Sequence, residues 1–255
     1  MSKKIELLMS IALLFCAVFL ARLGALFVQK QVSADRARHM QSISTEDSNA
    51  TEDSGIPRTM SPFCIVVDAG HGGADPGKVG INDILEKDIN LSVALLLAEK
   101  LESAGISIVL TRDSDVDLAN GSSNFKSADM RNRCALIAEA NPIFTISIHQ
   151  NSYPADNVTG AQVFYYTQSA EGKALATTLQ NSLITNVDPS NRRQPKANDS
   201  YYLLKKTPTP TVIVECGFLT SPSESALLVT PEYQEKLVDA ICLGILEYLE
   251  DNDYL

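Results

Sequence analysis

The stretch FCIVVD, residues 63–68, is a continuous β-branched run, and a glycine-rich loop carrying His71 follows it at once (AGHGGADPG, 69–77). An apolar run of this length that does not alternate with polar residues reads as a strand buried on both faces. The same kind of run returns at ISIVLT (106–111), FTISIH (144–149), AQVFYY (161–166) and TVIVEC (211–216). Helical spacing fills the gaps near 87–103, 126–140, 170–184 and 231–249. Strands alternating with helices specify an α/β layered domain, a mostly parallel twisted sheet covered by helices. In such sheets ligands bind beyond the carboxyl ends of the strands. His71, His149 and Glu215 all fall at that edge, and the remaining histidine, His39, lies far upstream.

The chain has 255 residues, enough for one domain with accessory segments. With 31 acidic and 21 basic residues its formal charge is -10, which repels polyanions and excludes nucleic acid as a partner. Residues 1–32 read as an export segment, either a signal peptide or a retained membrane anchor. Lys3 and Lys4 precede the apolar run LLMSIALLFCAVFLA, and VSA (32–34) resembles a cleavage site. Bulky Phe15 argues against lipid attachment at Cys16. Residues 33–62 are polar, rich in Ser, Thr, Asp and Glu, and without apolar period; they read as a disordered linker spanning about 30 Å. Residues 63–255 form the expected folded domain, catalytic or binding. Cys64, Cys134, Cys216 and Cys242 lie on apolar stretches with no CxxC pair, so they read as buried thiols, with one disulfide left open.

Gly72 and Gly77–Lys78 suggest a phosphate-binding loop, but Val79 stands where a magnesium-holding hydroxyl belongs and Asp75 would sit inside the cradle. The dinucleotide fingerprint fails too, with Asp75 at its third glycine position. DSDVD (113–117) has the alternating acids of a calcium loop without its glycine or bidentate glutamate, and reads as a polar loop. Cys216 should point to the sheet face opposite Glu215, which argues against a cysteine nucleophile.

A different constellation explains the histidine. Glu86 opens the helix after the glycine loop, where it can fold back beside His71. Two neutral imidazoles and one carboxylate make a three-ligand zinc set with an open fourth position. Glu215 is a charge inside an apolar strand, which must be paired or belong to a site. His71, Glu86 and His149 are thus candidate metal ligands, and Glu215 is a candidate member of the same site. Arg112, Gln150 and Asn151, at the same edge, are candidates for orienting the site or touching substrate.

The motifs VVDAGHGGADPG, LEKDINL, VLTRDSD, RNRCALIAEANPIFTISIHQNS, GAQVFYY and VIVECGFLTSPSE resemble, in order, the zinc-dependent N-acetylmuramoyl-L-alanine amidases of the family-3 type. The wording ILEKD and GAQVFYY is most similar to the CwlD-type germination-specific branch of endospore-forming bacteria. The resemblance implies zinc on His71, Glu86 and His149, with Glu215 as acid and base. It also implies peptidoglycan as substrate, cut between N-acetylmuramic acid and L-alanine. For that branch it implies action outside the cytoplasm, in the intermembrane or cortex space of the developing spore, where a separate peptidoglycan deacetylase completes muramic-δ-lactam. The segment NVDPSNRRQPKANDSYYLL (186–204) reads as a loop, with no spare helix to plug the metal, and no wall-binding repeats follow the domain. Placement on the substrate then falls to a membrane tether or a protein partner. Two other readings stand beside this one, a zinc peptidase acting on the stem peptide and a non-catalytic peptidoglycan-binding scaffold.

Overall fold

Five apolar runs become strands within two residues of their expected limits: β1 (Cys64–Ala69), β2 (Ser107–Leu110), β3 (Phe144–Asn151), β4 (Gln162–Tyr166) and β6 (Thr211–Phe218). A short β5 (Lys196–Asn198) completes a six-stranded sheet of order β2-β1-β3-β6-β4-β5. The computed structural model describes residues 60–119 and 121–255. The expected export segment and nearly all of the expected linker lie outside those residues. Ser61, near the linker's end, is already tied to the fold: its amide donates to the Gly105 carbonyl and its hydroxyl accepts from the Ser107 amide.

β1, β2, β3 and β6 run parallel, while β4 pairs antiparallel with β6 and β5 follows β4. The helices are α1 (Glu86–Ser103), α2 (Phe125–Ala140), α3 (Ala170–Asn186), α4 (Tyr202–Lys206), α5 (Pro222–Leu228) and α6 (Pro231–Asp251). The Ser169 hydroxyl accepts from the Gly172 amide at the start of α3, and Thr230 with Pro231 starts α6, both usual N-terminal devices. β5 and α4 correct the expectation of a plain loop over 186–204. Among the described residues no helix is long and apolar enough to cross a membrane.

The alternation of each strand separates two unequal faces. Ile65, Val67 and Ala69 of β1, Ile146 and Ile148 of β3, and Val212, Val214 and Cys216 of β6 enter the main core, together with α1, α3 and α6. The opposite face carries smaller apolar clusters around Val66, Ile137, Phe164 and Ile213, under α2 and α4. Its polar positions on β1 and β3 are also buried: Thr145 near the amino end of β3, and nearer the carboxyl edge Ser147, whose hydroxyl donates to Asp68. Three long helices seal one face, and the lighter cover on the other leaves the cleft in which the site lies. All four cysteines in the described residues are free thiols, and Cys216 is buried in the main core on the face opposite Glu215.

Candidate active site

His149 and Glu215 are register partners on the neighbouring parallel strands β3 and β6. Neighbours in register on parallel strands present their side chains to the same face. Directly after His149 the pairing with β6 shifts, a bulge of the kind found beside active sites. His71 sits one turn beyond β1 with φ of 61°, left-handed backbone that a non-glycine residue rarely adopts. Its backbone is held from outside. Arg133 on α2, with its side chain 1% exposed, donates to the carbonyls of Ala69 and His71 and pairs with Asp68 at 2.7 Å and Asp129 at 2.7 Å. Arg112 donates to the carbonyls of Ala69, Gly70 and Lys87.

The acids of DSDVD complete this clamp. Asp115 accepts from the Gly73 amide, and Lys87 donates both to Asp115 and to the Gly73 carbonyl. The loop rejected as a calcium site thus binds the histidine loop to the start of α1.

Glu86, the first residue of α1, is the hub. Its Oε1 lies 2.9 Å from His149 Nδ1 and its Oε2 3.2 Å from His71 Nε2. The Gln150 and Lys78 amides donate to the same two oxygens. His71 and His149 stand edge to face with centroids 4.9 Å apart. Ligand atoms of His71, Glu86 and His149 all lie within 4.8 Å of one another. Two glycines make the room: a Cβ on Gly70 would lie 2.2 Å from His149 Nε2, and one on Gly77 would lie 2.6 Å from both Glu86 Oε2 and His71 Cδ2.

The field in this pocket favours positive charge. Burial works against ionisation of Glu86, yet its bonds to His149 and His71 hold its carboxyl far below the usual range. Burial likewise opposes a charged His71, but Glu86 and Asp75 raise it to about 9. Asp75 accepts from His71 Nδ1 at 2.9 Å and so fixes that ring, as an outer carboxylate does for a metal-binding histidine. Glu215 differs from these acids. It is 7% exposed, its Oε2 has no partner among the described residues, and burial pushes its carboxyl up to about 7.

The four principal candidates therefore converge in one cleft of about 540 Å³, whose walls also include Asn151, Gln150, Lys126, Tyr201 and Tyr202. Asn151 faces the cleft. Gln150 is buried with its amide nitrogen turned to Asn90 Oδ1, at 3.2 Å. Arg112 is not among the described residues lining the cleft; its guanidinium is used on backbone carbonyls behind the His71 loop. α4 stands at the rim without covering the centre, since the side chains of His71 and His149 keep 25% and 20% of their exposure. The roles of Asp75 and Arg133 had no signal in the sequence, because each looks there like an ordinary surface charge.

The N-acetylmuramoyl-L-alanine amidase family model, Amidase_3, matches residues 65–247. The germination-specific N-acetylmuramoyl-L-alanine amidase of Bacillus subtilis (strain 168) is 39% identical over 196 residues, covering 75% of this chain and 82% of the relative. The structure of the CwlD amidase from Clostridioides difficile, solved in complex with the GerS lipoprotein, aligns with a TM-score of 0.71 at 38% identity, over 74% of this chain and 99% of that one. The amidase AmiC2 of Nostoc punctiforme aligns with a TM-score of 0.64 at 33% identity, over 77% and 99%. With a match spanning nearly the whole sheet and every candidate ligand, this chain belongs to the Amidase_3 family and is an N-acetylmuramoyl-L-alanine amidase.

Proposed function

We propose that this amidase is zinc-dependent and strips stem peptides from the peptidoglycan of the developing spore. It would cut the amide between the lactyl group of N-acetylmuramic acid and L-alanine. The observation that carries the reading is the convergence of His71, Glu86 and His149 beside the unpaired Oε2 of Glu215. The donor set suits zinc: two imidazoles and one carboxylate, oriented by Asp75 and by backbone amides, in a pocket whose field favours a cation.

His71, Glu86 and His149 would hold the ion. Zinc, when bound there, supplies a Lewis acid for the scissile carbonyl. Glu215 accepts the proton of the attacking water at Oε2 and delivers it to the departing L-alanine amine. Burial raises its carboxyl in the protein alone, and a cation bound beside it would draw it back toward the carboxylate that accepts the proton. Asn151 faces the substrate, while Arg112 and Gln150 position the site, Arg112 through carbonyls and Gln150 through Glu86 and Asn90.

The likeness to a germination-specific relative supports the spore role. Removal of the stem peptide prepares the sugar for a peptidoglycan deacetylase, with muramic-δ-lactam as the joint product. Action is extracytoplasmic, after export through residues 1–32 by cleavage or anchoring, in the intermembrane or cortex space. The CwlD structure contains a lipoprotein, which supports a protein partner for activation or targeting here as well.

Metal analysis of purified residues 33–255, with mass spectrometry of digested peptidoglycan, tests the chemistry. One zinc per chain and intact peptides bearing a free L-alanine amine are expected. Absence of zinc, or cuts inside the stem peptide, would overturn it. Cortex that keeps normal muramic-δ-lactam in cells lacking the protein would overturn the spore role.

A further inference from the structure

Beside the catalytic cleft, and sharing Ser152 with it, lies a second groove of about 550 Å³. It runs over the carboxyl edge of the sheet between the loop after β1, the loop after β3 and the end of β6. Lys78, Val79, Tyr153, Leu219 and Thr220 form its walls.

The two depressions differ in charge. The catalytic cleft is lined by five acids, Asp68, Asp75, Glu86, Asp129 and Glu215; its cations are Arg133, bound to buried acids and carbonyls, and Lys126, paired with Asp75. The second groove has one cation, Lys78, and no acid. Lys78 is exposed and makes no ion pair among the described residues. Its main chain is nonetheless fixed to the centre of the site. The Lys78 amide donates to Glu86 Oε2 at 2.7 Å, and the Glu86 amide donates to the Lys78 carbonyl at 3.0 Å. The base of the Lys78 side chain is therefore fixed beside Glu86. The groove also offers hydroxyls on Ser152, Tyr153 and Thr220, while Val79 and Leu219 give it apolar surface.

The substrate has two chemically distinct halves about the scissile amide. The sugar presents neutral C–H faces, which suit the exposed rings of Tyr201 and Tyr202 on the far wall of the cleft. The peptide carries the carboxylates, for which the unpaired Lys78 ammonium is an attractive partner, whereas the cations lining the cleft are already engaged by its acids. Resting on the peptidoglycan reading above, we propose that the groove at Lys78 receives the stem peptide, with the Lys78 ammonium pairing a peptide carboxylate near the cut. Lys78 is thus a specificity-determining residue, and the polarity of binding runs from the Tyr201–Tyr202 wall for sugar to the Lys78 groove for peptide.

Steady-state kinetics of the full zinc-loaded chain on two muramoyl peptides, identical except that the peptide carboxylates are free in one and amidated in the other, test this. The wild type should show a KM about fivefold lower for the free acid, the scale of an exposed ion pair. Lys78→Gln should erase that preference by raising KM for the acid alone, with kcat unchanged, and Lys78→Glu should invert it. Lys126→Gln should keep it. Equal KM values in the wild type, a preference surviving in Lys78→Gln, its loss in Lys126→Gln instead, or an equal fall of kcat on both peptides in Lys78→Gln would overturn the assignment. Failure to cut either peptide would sink the peptidoglycan reading, and this inference with it, whereas equal KM values with active enzyme sink the inference alone.

Discussion

His149 and Glu215 are placed by the sheet, as register partners on two adjacent central strands, whereas His71 and Glu86 are placed by a loop and a helix start that meet beyond the sheet edge. The strand pair needs nothing beyond ladder hydrogen bonds and alternation to share a face. The loop pair needs two buried or nearly buried arginines, an Asp115–Lys87 clip, Asp75 on the ring of His71, and glycines where a Cβ would collide. The difference teaches where the site is vulnerable. Residues that never touch a metal or substrate should disrupt the loop side, while the strand side should yield to replacement of the candidate residues themselves or of Gly70, whose Cβ would meet the His149 ring.

The largest effect expected on that asymmetry is from Arg133→Met, which leaves Asp68 buried without its partner. Loss of one member of a buried pair costs about 3–5 kcal/mol, to be read by denaturant unfolding. Acid titration sharpens the test. Burial alone would raise Asp68, but Arg133, Ser147 and Thr111 hold it at about 2 against 3.8 in an open chain. A folded-state pKa below the unfolded one stabilises the protein above pH 4, here by about 2 kcal/mol, and that stability is lost as pH falls toward 2. In Arg133→Met the sign should reverse, because burial now dominates and protonation relieves it. A variant as stable as the wild type, with the same acid profile, would break the comparison.

Gly77→Ala comes next. The position has φ of 68°, and the new methyl would press on Glu86 and His71 together. A stability cost of about 1–3 kcal/mol and a loss of zinc affinity beyond tenfold are expected, measured by unfolding and by competition with a chelator. Unchanged zinc affinity would show that the glycine is not needed to make room for the ligands. The smallest effect belongs to the strand side. Thr145 on β3 is buried with its hydroxyl unpartnered among the described residues, and valine has nearly its shape. Thr145→Val should change stability by less than about 1 kcal/mol and leave zinc binding alone. A collapse of zinc binding there would mean that the strand side depends on polar support as well.

The same contrast explains what could be read from the residues. FCIVVD, FTISIH and TVIVEC announce buried strands because the pattern needed to bury both faces is written in consecutive residues. AQVFYY carries the same pattern in an antiparallel strand, because an apolar run does not encode its direction. KAN and YLLKK are too short to show a period, so β5 and α4 were hidden in a polar stretch. His71, His149, Glu86 and Glu215 stood out as chemistry-bearing residues at strand ends and a helix start. The clamp did not, because an arginine in RNRCALIAEA buried by distant carbonyls and acids looks in sequence like one facing water. DSDVD likewise suggested a loop but not what the loop grips.

Glu215 is proposed to move the proton in a centre held by His71, Glu86 and His149. The most direct test of this role is Glu215→Gln, assayed together for zinc content and for cleavage of a muramoyl peptide. Wild-type zinc stoichiometry is expected, with cleavage reduced by about 10²–10⁴-fold. Cleavage near the wild-type rate, or a loss of activity that merely follows a loss of zinc, would contradict it.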